Sequence, residues 1–518
     1  MRIVNASIYN KKIKFLEDKD LNDDNNKYTI ILGENGTGKS ELLRQMINNL
    51  LRIKILNLKT EYIDDGKFSY RDCLDSYLSN EYKANLTERS INSNLTLSVW
   101  EGGDFHISYE KTNDKRTIKN FRGEEIEISD GQFRYKIDLN TNGMIFVDTV
   151  KEINIISISE SIHIKFPVAQ DDDILSYYYP GHLKDADFNY LKTSSTRKNI
   201  NEKEKSILLS IFLSSRRINK INLKSIFDLL RFEYKVKIEV NSDADLNNKL
   251  ESLKNIRFNS VGINKKYNMD VFYSAVNWYL SSGNDENNDI FNNSINEDKE
   301  FVLDLKANSD EIINLYYLIE YDLINVTNIY FYRNNNSVSE IPIKDMSSGQ
   351  LCIISSFSSI AARIKNGSLV FIDEPEISLH PSWASKYIEL LQEKFSMFKR
   401  CHFIVATHSP HIVSNLPNDN AYVVTLKNNN VSECIKSNLF NFKSVDFQLA
   451  KIFDFPGDRN EYLIRIIMVI LTKLSENKPL NKDEFKNIEE LKGFLPKLKD
   501  NDPVKHLIQQ ISVLINNE

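Results

Sequence analysis

Apolar positions along the chain change period several times, and each change marks a different kind of element. Residues 28–32, YTIIL, form a β-branched run that stops at a Gly-rich segment, and SELLRQMINNLLRI beyond it spaces its apolar residues as a helix does. The pattern predicts strand, loop, helix. Between about residues 60 and 150 the runs are short and alternating, as in LTLSVW, DFHISY and MIFVDTV, with Asn, Gly and Asp between them, which predicts a β-rich lobe. INIISIS at 153–159 adds a further apolar run. From about 171 to 325 the helical period dominates, as in KSILLSIFLSS and DEIINLYYLIEYDLI, interrupted by the polar stretch SSGNDENNDIFNNSINEDKE at 281–300, which reads as a mobile loop. Strand and helix alternate again from 345 to 416, and AYVVTL and VSECIK, joined by KNNN, read as a hairpin. The remaining C-terminal stretch reads as helical and mixed in charge. No fixed-period repeat is present, and no heptad run is long enough for an extended coiled coil.

Composition narrows this picture without naming a ligand. At 518 residues the chain exceeds one ordinary core, so two or three domains are expected, and 41% hydrophobic content is enough to bury them. A net charge of -6 gives no global basic field, so nucleic-acid contact would need a local patch or a partner. Cys73, Cys352, Cys401 and Cys434 lie far apart without C-x-x-C spacing, which argues against a disulfide framework or a zinc site. The start MRIVNASIYNKKIKF has no apolar signal core, and the best apolar run, YLIRIIMVIL at 462–471, is short and carries Arg465. A cytoplasmic protein without a membrane span is the expectation.

Candidate chemistry begins at GENGTGKS. Only 16 glycines occur in the chain, yet Gly33, Gly36 and Gly38 fall within this one segment. It satisfies G-x-x-x-x-G-K-[ST] and sits between a predicted strand and a predicted helix, the context that motif requires. Glycines let successive backbone N–H groups turn inward around phosphates, the helix N-terminus adds its positive end, and Lys39 neutralises β/γ charge. Ser40 would hold Mg²⁺, and Gly33, Glu34, Asn35, Gly36, Thr37, Gly38, Lys39 and Ser40 become the candidate nucleotide-binding set.

A phosphate loop needs a metal-organising acid at the end of another buried strand, and SLVFIDEPEISLHP supplies Asp373 after the run LVFI. The adjacent Glu374 is placed to accept a proton from an attacking water. Helix capping is the bland alternative, but two carboxylates closing a buried strand are costly without a cation. Upstream, in DMSSGQLCIISSFSSIAARI, Ser347, Ser348 and Gly349 precede a helix, a second anion-binding helix start, and Gln350 joins them as a nucleotide-binding candidate. If the two starts lie on opposite sides of the domain, two chains sharing two nucleotides across a symmetric interface is the economical arrangement. Downstream, HFIVATHSP ends a strand at His408, whose imidazole can bond a γ-phosphate.

GENGTGKS, MSSGQ, FIDEPEISLHP and ATHSP, in that order, resemble the ABC-type ATPase heads of the structural-maintenance, RecF-like and overcoming-lysogenization-defect proteins. The resemblance implies an α/β fold, ATP and Mg²⁺ as ligands, and a homodimer closed through an ATP sandwich, or a higher even-numbered oligomer. It implies Ser348 and Gly349 as contacts to the partner's nucleotide, the stretch Ser378, Leu379 and His380 as the D-loop, and His408 as the switch. IISISESIHIKFP, YYYPGHL and IDEPEISLHPSWASKYIELL further resemble bacterial anti-phage ATPases of the Septu and retron-associated kinds. The signature reads M-S-S-G-Q where transporters usually show L-S-G-G-Q, and Gln170 is the candidate for the Q-loop glutamine. No long coiled coil interrupts the head, which disfavours chromosome condensation.

The tail lacks the clustered acids of a TOPRIM nuclease: Asp446, Asp454, Asp458 and Glu461 are scattered without a strand to present them, and His506 stands alone. Residues 192–237 carry a basic excess that includes Arg197, Lys198, Arg216, Arg217, Lys220 and Lys224, read first as a solvated helical surface and second as a phosphate-holding face. The expected layout is an ATPase head in two parts, 1–60 and 336–435, a β-rich lobe with a return strand at 61–170, a helical insertion at 171–335 and a helical C-terminal region at 436–518. The expected function is an ABC-type ATPase, slow and regulatory, in an anti-phage complex whose nuclease is a separate chain. Two rivals stay open: a RecF-like DNA clamp used in repair, and a nucleotide sensor or scaffold with little turnover.

Overall fold

Buried β-branched runs set the central layer of the molecule. The computed structural model describes residues 2–8, 11–17, 23–33, 36–62, 96–100, 104–111, 117–119, 125–127, 133–139, 154–159, 166, 177–178, 201–216, 223–241, 269–282, 298–307, 310–334, 340–414, 416, 420–426, 434–437, 444–451, 455–476 and 478–516. The chain runs through β1 (Arg2–Ile8), β2 (Lys11–Lys14), β3 (Lys27–Leu32) and α1 (Lys39–Tyr62). Strands β4 (Thr96–Trp100), β5 (Asp104–Lys111), β6 (Thr117–Lys119), β7 (Glu125–Glu127), β8 (Phe133–Leu139), β9 (Ile155–Ser159) and β10 (Tyr177–Tyr178) follow. Then come α2 (Glu202–Arg216), α3 (Lys224–Leu229), β11 (Phe232–Asn241), α4 (Met269–Ser281), β12 (Lys299–Asp304), α5 (Asp310–Glu320), β13 (Asn325–Arg333) and β14 (Glu340–Pro342). The second half of the head holds α6 (Ser348–Arg363), β15 (Leu369–Asp373), α7 (Pro381–Ala384), α8 (Tyr387–Phe395), β16 (His402–Thr407), α9 (Pro410–Val413), β17 (Ala421–Thr425) and β18 (Cys434–Lys436). Helices α10 (Val445–Lys451), α11 (Glu461–Ser475), α12 (Lys482–Phe494) and α13 (Pro503–Asn516) end the chain.

Strands β3, β9, β15 and β16 are buried at every position, the burial of strands covered on both faces. They form the middle of a sheet ordered β10-β9-β15-β16-β3-β17-β18, parallel except for the last strand. The sheet register brings Thr407 opposite Leu32, and Ala406 opposite Asp373. The loops after β3, β15 and β16 therefore emerge on one edge, where open α/β sheets place their ligands. Because β16 lies between β3 and β15, a site shared by the latter two has to span the end of β16.

One aromatic series ties the covering helices to this sheet. Phe357 of α6 meets Tyr387 edge-on at 5.6 Å and Phe395 of α8 at 6.0 Å. Phe395 stacks on Phe403 of β16, which stacks on Tyr28 of β3 at 4.9 Å between centroids. Such offset pairs add to the area each ring buries. The opposite end of the sheet is pinned by charge: Lys27 donates to Asp23 at 2.6 Å and to Asn420 at 2.8 Å, and Arg2 donates to the same Asp23 carboxylate at 2.8 Å.

The N-terminal strands do not join the main sheet. They belong to an antiparallel sheet ordered β2-β1-β4-β5-β8, so the β-rich lobe draws on both sides of α1. Its contact with the head runs through buried His402. The Ile3 N–H donates to Nδ1 at 3.2 Å, so Nδ1 is unprotonated and Nε2 carries the hydrogen it shares with Thr29 Oγ1 at 2.9 Å. Burial, with the nearby Arg2 charge, holds this imidazole well below the ordinary histidine range, which keeps it neutral.

The stretch 171–335, expected as a helical insertion, also carries three strands of a four-stranded antiparallel sheet ordered β12-β11-β13-β14, whose fourth strand, β14, follows it. FEYKVKIEVN in β11 alternates buried and outward positions along most of its length, the period of a half-covered strand. Its inner residues Val236, Ile238 and Val240 continue the same core as α2, α6 and the central sheet. MIFVDTV at 144–150 and most of the polar stretch at 281–300 lie outside the described residues.

The C-terminal helices close around a core of their own that includes Leu463, Ile467, Leu491, Val504 and Ile508. Their starts are capped as the sequence allows: Asn460 accepts from the Leu463 N–H at 2.9 Å, and Asn481 and Glu484 form a capping box. Among the described residues no helix is long and apolar enough to cross a membrane. Cys352, Cys401 and Cys434 are free thiols, and Cys73 lies outside the described residues.

Candidate nucleotide site

The loop after β3 has the shape that its glycines permit. A Cβ on Gly33 would stand 2.5 Å from Thr37 Oγ1, and Gly36 and Gly38 take φ of 83° and 89°, where other residues are strained. Glu34 and Asn35 lie outside the described residues. Lys39 opens α1, is 4% exposed, and folds its Nζ back to 2.6 Å from the Gly33 carbonyl oxygen. The ammonium thus lies across the concavity of its own loop, held by an oxygen that a phosphate can replace.

Ser40, on the first turn of α1, donates from Oγ to Asp373 Oδ1 at 2.8 Å, across the end of β16. A serine hydroxyl and a carboxylate, both hard oxygen donors at the edge of a phosphate loop, suit Mg²⁺, which takes few protein ligands and completes its shell with water and phosphate oxygens. Among the described residues no cluster of three or more His, Cys, Asp or Glu stands ready to hold a metal by itself. The donor set fits a cation held jointly by protein and nucleotide.

Glu374 follows Asp373 with φ of 49°, a left-handed conformation that a glutamate adopts only when its surroundings impose it. Its N–H extends the β15–β16 ladder by donating to the Ala406 carbonyl at 2.8 Å. Its carboxylate, 16% exposed, lies 3.6 Å from His408 Nδ1. The structure therefore gathers Gly33, Lys39, Ser40, Asp373, Glu374 and His408 at one edge of the sheet.

The residues at the start of α6 lie against the turn that leads into α7, the stretch expected as the D-loop. Ser347 N-caps α6, with Gln350 completing a capping box in which the glutamine Oε1 accepts from Ser347 N at 3.0 Å. Ser347 and Ser348 are exposed, whereas Gly349 is buried. A Cβ on Gly349 would come within 2.8 Å of the Ser378 carbonyl oxygen and 3.2 Å of the Trp383 ring. Cys352, one turn on, lies 3.6 Å from the Pro375 carbonyl oxygen. His380 N-caps α7, its Nδ1 accepting from the Ser382 N–H at 3.3 Å. Gly349→Ala is accordingly expected to cost about 1–3 kcal/mol by overpacking against backbone, read as a lowered midpoint of chemical denaturation.

Two residues of the site escaped the sequence reading. Glu376 and Thr407 face each other between the turn after β15 and the end of β16, with Thr407 Oγ1 donating to Glu376 Oε1. A second acid in IDEPE was the available signal, but nothing local in ATHSP announces the threonine as its partner. Of the other candidates, Gln170 lies outside the described residues, as do Arg197, Lys198, Arg217 and Lys220 of the basic stretch. Lys224 pairs with Asp228 at 3.8 Å, and Lys237 sits between Glu300 at 3.0 Å and Glu340 at 3.3 Å, so these two lysines of that stretch face acids. His506 lies exposed on α13.

Sheet order, phosphate loop and paired carboxylates resemble those of P-loop ATPase heads of the ABC type. Residues 177–414, the part that holds α6, the acidic strand and His408, match the domain family described as "AAA domain, putative AbiEii toxin, Type IV TA system". The Retron Vc95 probable ATPase of Vibrio cholerae serotype O1 biovar El Tor is 23% identical over 445 residues, 82% of this chain and 73% of that one. The Retron Ec83 probable ATPase of Escherichia coli is 32% identical over 103 residues, 18% of either chain. Among solved structures, an Smc head bound to the C-winged helix domain of ScpA matches 84% of this chain and 97% of that one, at 13% identity and a TM-score of 0.32. The SMC head domain from Thermotoga maritima matches at 12% identity, covering 84% of this chain and 99% of that one, with a TM-score of 0.27. At those scores the solved heads carry no argument, and the likeness lies in the site, the sheet order and the matched domain.

Proposed function

We propose that this chain is the ATP-binding and ATP-hydrolysing subunit of an anti-phage defence complex, and that its nucleotide state controls a separate effector nuclease. The observation that carries the ATPase part is the Ser40–Asp373 hydrogen bond at 2.8 Å, which joins the phosphate loop to the acidic strand over the end of β16. Similarity to retron-associated ATPases supports the defence setting.

In this reading the loop amides and Lys39 bind the β- and γ-phosphates, and Lys39 exchanges its Gly33 carbonyl for a phosphate oxygen. Ser40 and Asp373 would hold Mg²⁺, which would supply charge neutralisation at the terminal phosphates. Glu374 takes the proton of the attacking water, and His408 donates to a γ-phosphate oxygen. Ser347, Ser348 and Gly349 meet the nucleotide of a second copy, so the active unit is a homodimer, with Ser378 near the junction. The units proposed are a two-part head at 1–60 and 336–435, a lobe at 61–170, an insertion at 171–335 and a partner-docking region at 436–518. The protein works in the cytoplasm and turns over slowly.

Co-expression with the products of neighbouring genes, followed by native mass measurement and identification of what co-purifies, tests the division of labour. A stable assembly of paired ATPase chains with a nuclease-like protein is expected. An isolated dimer that binds DNA in an ATP-dependent, salt-sensitive way would overturn it in favour of a DNA clamp.

A further inference from the structure

Glu376 stands two residues after Glu374 in FIDEPEISLHP and was given no role by the sequence, yet its carboxylate is closely engaged at the site. Its side chain is 7% exposed. Oε1 accepts from Thr407 Oγ1 and from the His408 N–H at 2.8 Å, and lies 3.2 Å from His408 Nδ1. One oxygen thus meets the hydroxyl that ends β16, the next backbone amide and the imidazole. Thr407, having donated its proton to Glu376, accepts from the Ser409 N–H at 2.9 Å, so the peptide groups on both sides of His408 are fixed. Ser409 Oγ in turn accepts from the His411 N–H at 3.3 Å and caps α9.

The second oxygen of Glu376 is buried and has no hydrogen-bond partner among the described residues. A carboxylate left half unsatisfied costs stability, and packing alone does not account for it, since a neutral side chain could fill the same space. Its charge has a use at the imidazole. Two carboxylates face Nδ1, Glu376 at 3.2 Å and Glu374 at 3.6 Å, and their oxygens favour placing the neutral ring's hydrogen on that edge. Nε2, on the other edge, is then the nitrogen left for a phosphate oxygen. If Glu374 alone oriented the ring, it would be drawn toward Nδ1 and away from the water it deprotonates.

We propose that Glu376 is a positioning residue for ATP hydrolysis: it fixes the His408 backbone through its own contact and through Thr407, and takes over ring orientation so that Glu374 remains available to water. The proposal rests on the ATPase reading above. Steady-state hydrolysis by the full chain tests it with Glu376→Ala, Glu376→Gln, Thr407→Val, His408→Ala and the Glu376→Ala/His408→Ala double variant.

Glu376→Ala is expected to lower kcat about 10- to 100-fold with KM for ATP changed less than about twofold, because the lost element is placement of a group that acts in the transition state. Glu376→Gln recovers part of the rate, since its amide oxygen accepts the same two donors. The double variant falls no further than His408→Ala alone. Should Glu376→Ala not fold, Thr407→Val carries the test: a loss of about threefold or more that vanishes in the His408→Ala background. Wild-type turnover in Glu376→Ala or in His408→Ala, or losses that multiply in the double variant, would overturn the proposal. Undiminished hydrolysis by Lys39→Ala would instead overturn the ATPase reading itself.

Discussion

Lys39→Ala loses nucleotide binding, with ATP affinity falling by roughly 100-fold or more, and shows no hydrolysis above background. The magnitude follows from removing one member of a desolvated charge pair: truncation costs about 2–5 kcal/mol because the phosphate charge loses its counter-charge while remaining in the site. Lys39 is 4% exposed and opens α1, so its ammonium is already sheltered from water where the β- and γ-phosphates would lie. The loop itself should survive the change. Its turns depend on Gly36 and Gly38 and on the first helical bond, Leu42 N–H to the Gly38 carbonyl at 2.8 Å, and the lysine side chain takes part in neither. Calorimetric titration with ATP and Mg²⁺, paired with a melting curve, checks both halves. Retained affinity in a folded variant would remove the phosphate loop from the site.

What the sequence disclosed depended on how local each feature is. The phosphate loop was legible because strand, glycines, lysine and helix occupy one contiguous stretch, each dictated by backbone geometry. Asp373 and His408 were legible because each ends an apolar run, and in a parallel sheet ends of runs meet on one edge. The Glu376–Thr407 pairing was hidden because it is a contact between residues 31 positions apart, created by the adjacency of β15 and β16. β11 was readable in principle, since FEYKVKIEVN alternates, but strongly helical runs on both sides masked a strand whose partners β12 and β13 come much later. Likewise β1 pairs with β4 across the whole of α1, which no local pattern announces.

Glu374→Gln is expected to lower ATP turnover by about 10²- to 10⁴-fold, the usual worth of a positioned general base, while leaving ATP affinity within a few-fold of the wild type. The two effects separate because the amide keeps the size of the carboxylate but cannot take a proton, and because in the proposed site Lys39 meets the phosphates while Ser40 and Asp373 would hold the cation. Local geometry favours a clean result. Glu374 is held at φ of 49° by its backbone bond to Ala406 at 2.8 Å, and neither depends on the side chain. A protein that binds ATP and cannot hydrolyse it should also accumulate in the nucleotide-closed state, so ATP should raise the native mass of Glu374→Gln to that of a dimer and keep it there. Unchanged slow turnover in Glu374→Gln would mean that the chain senses nucleotide without hydrolysing it, and any change of state would then be driven by binding alone.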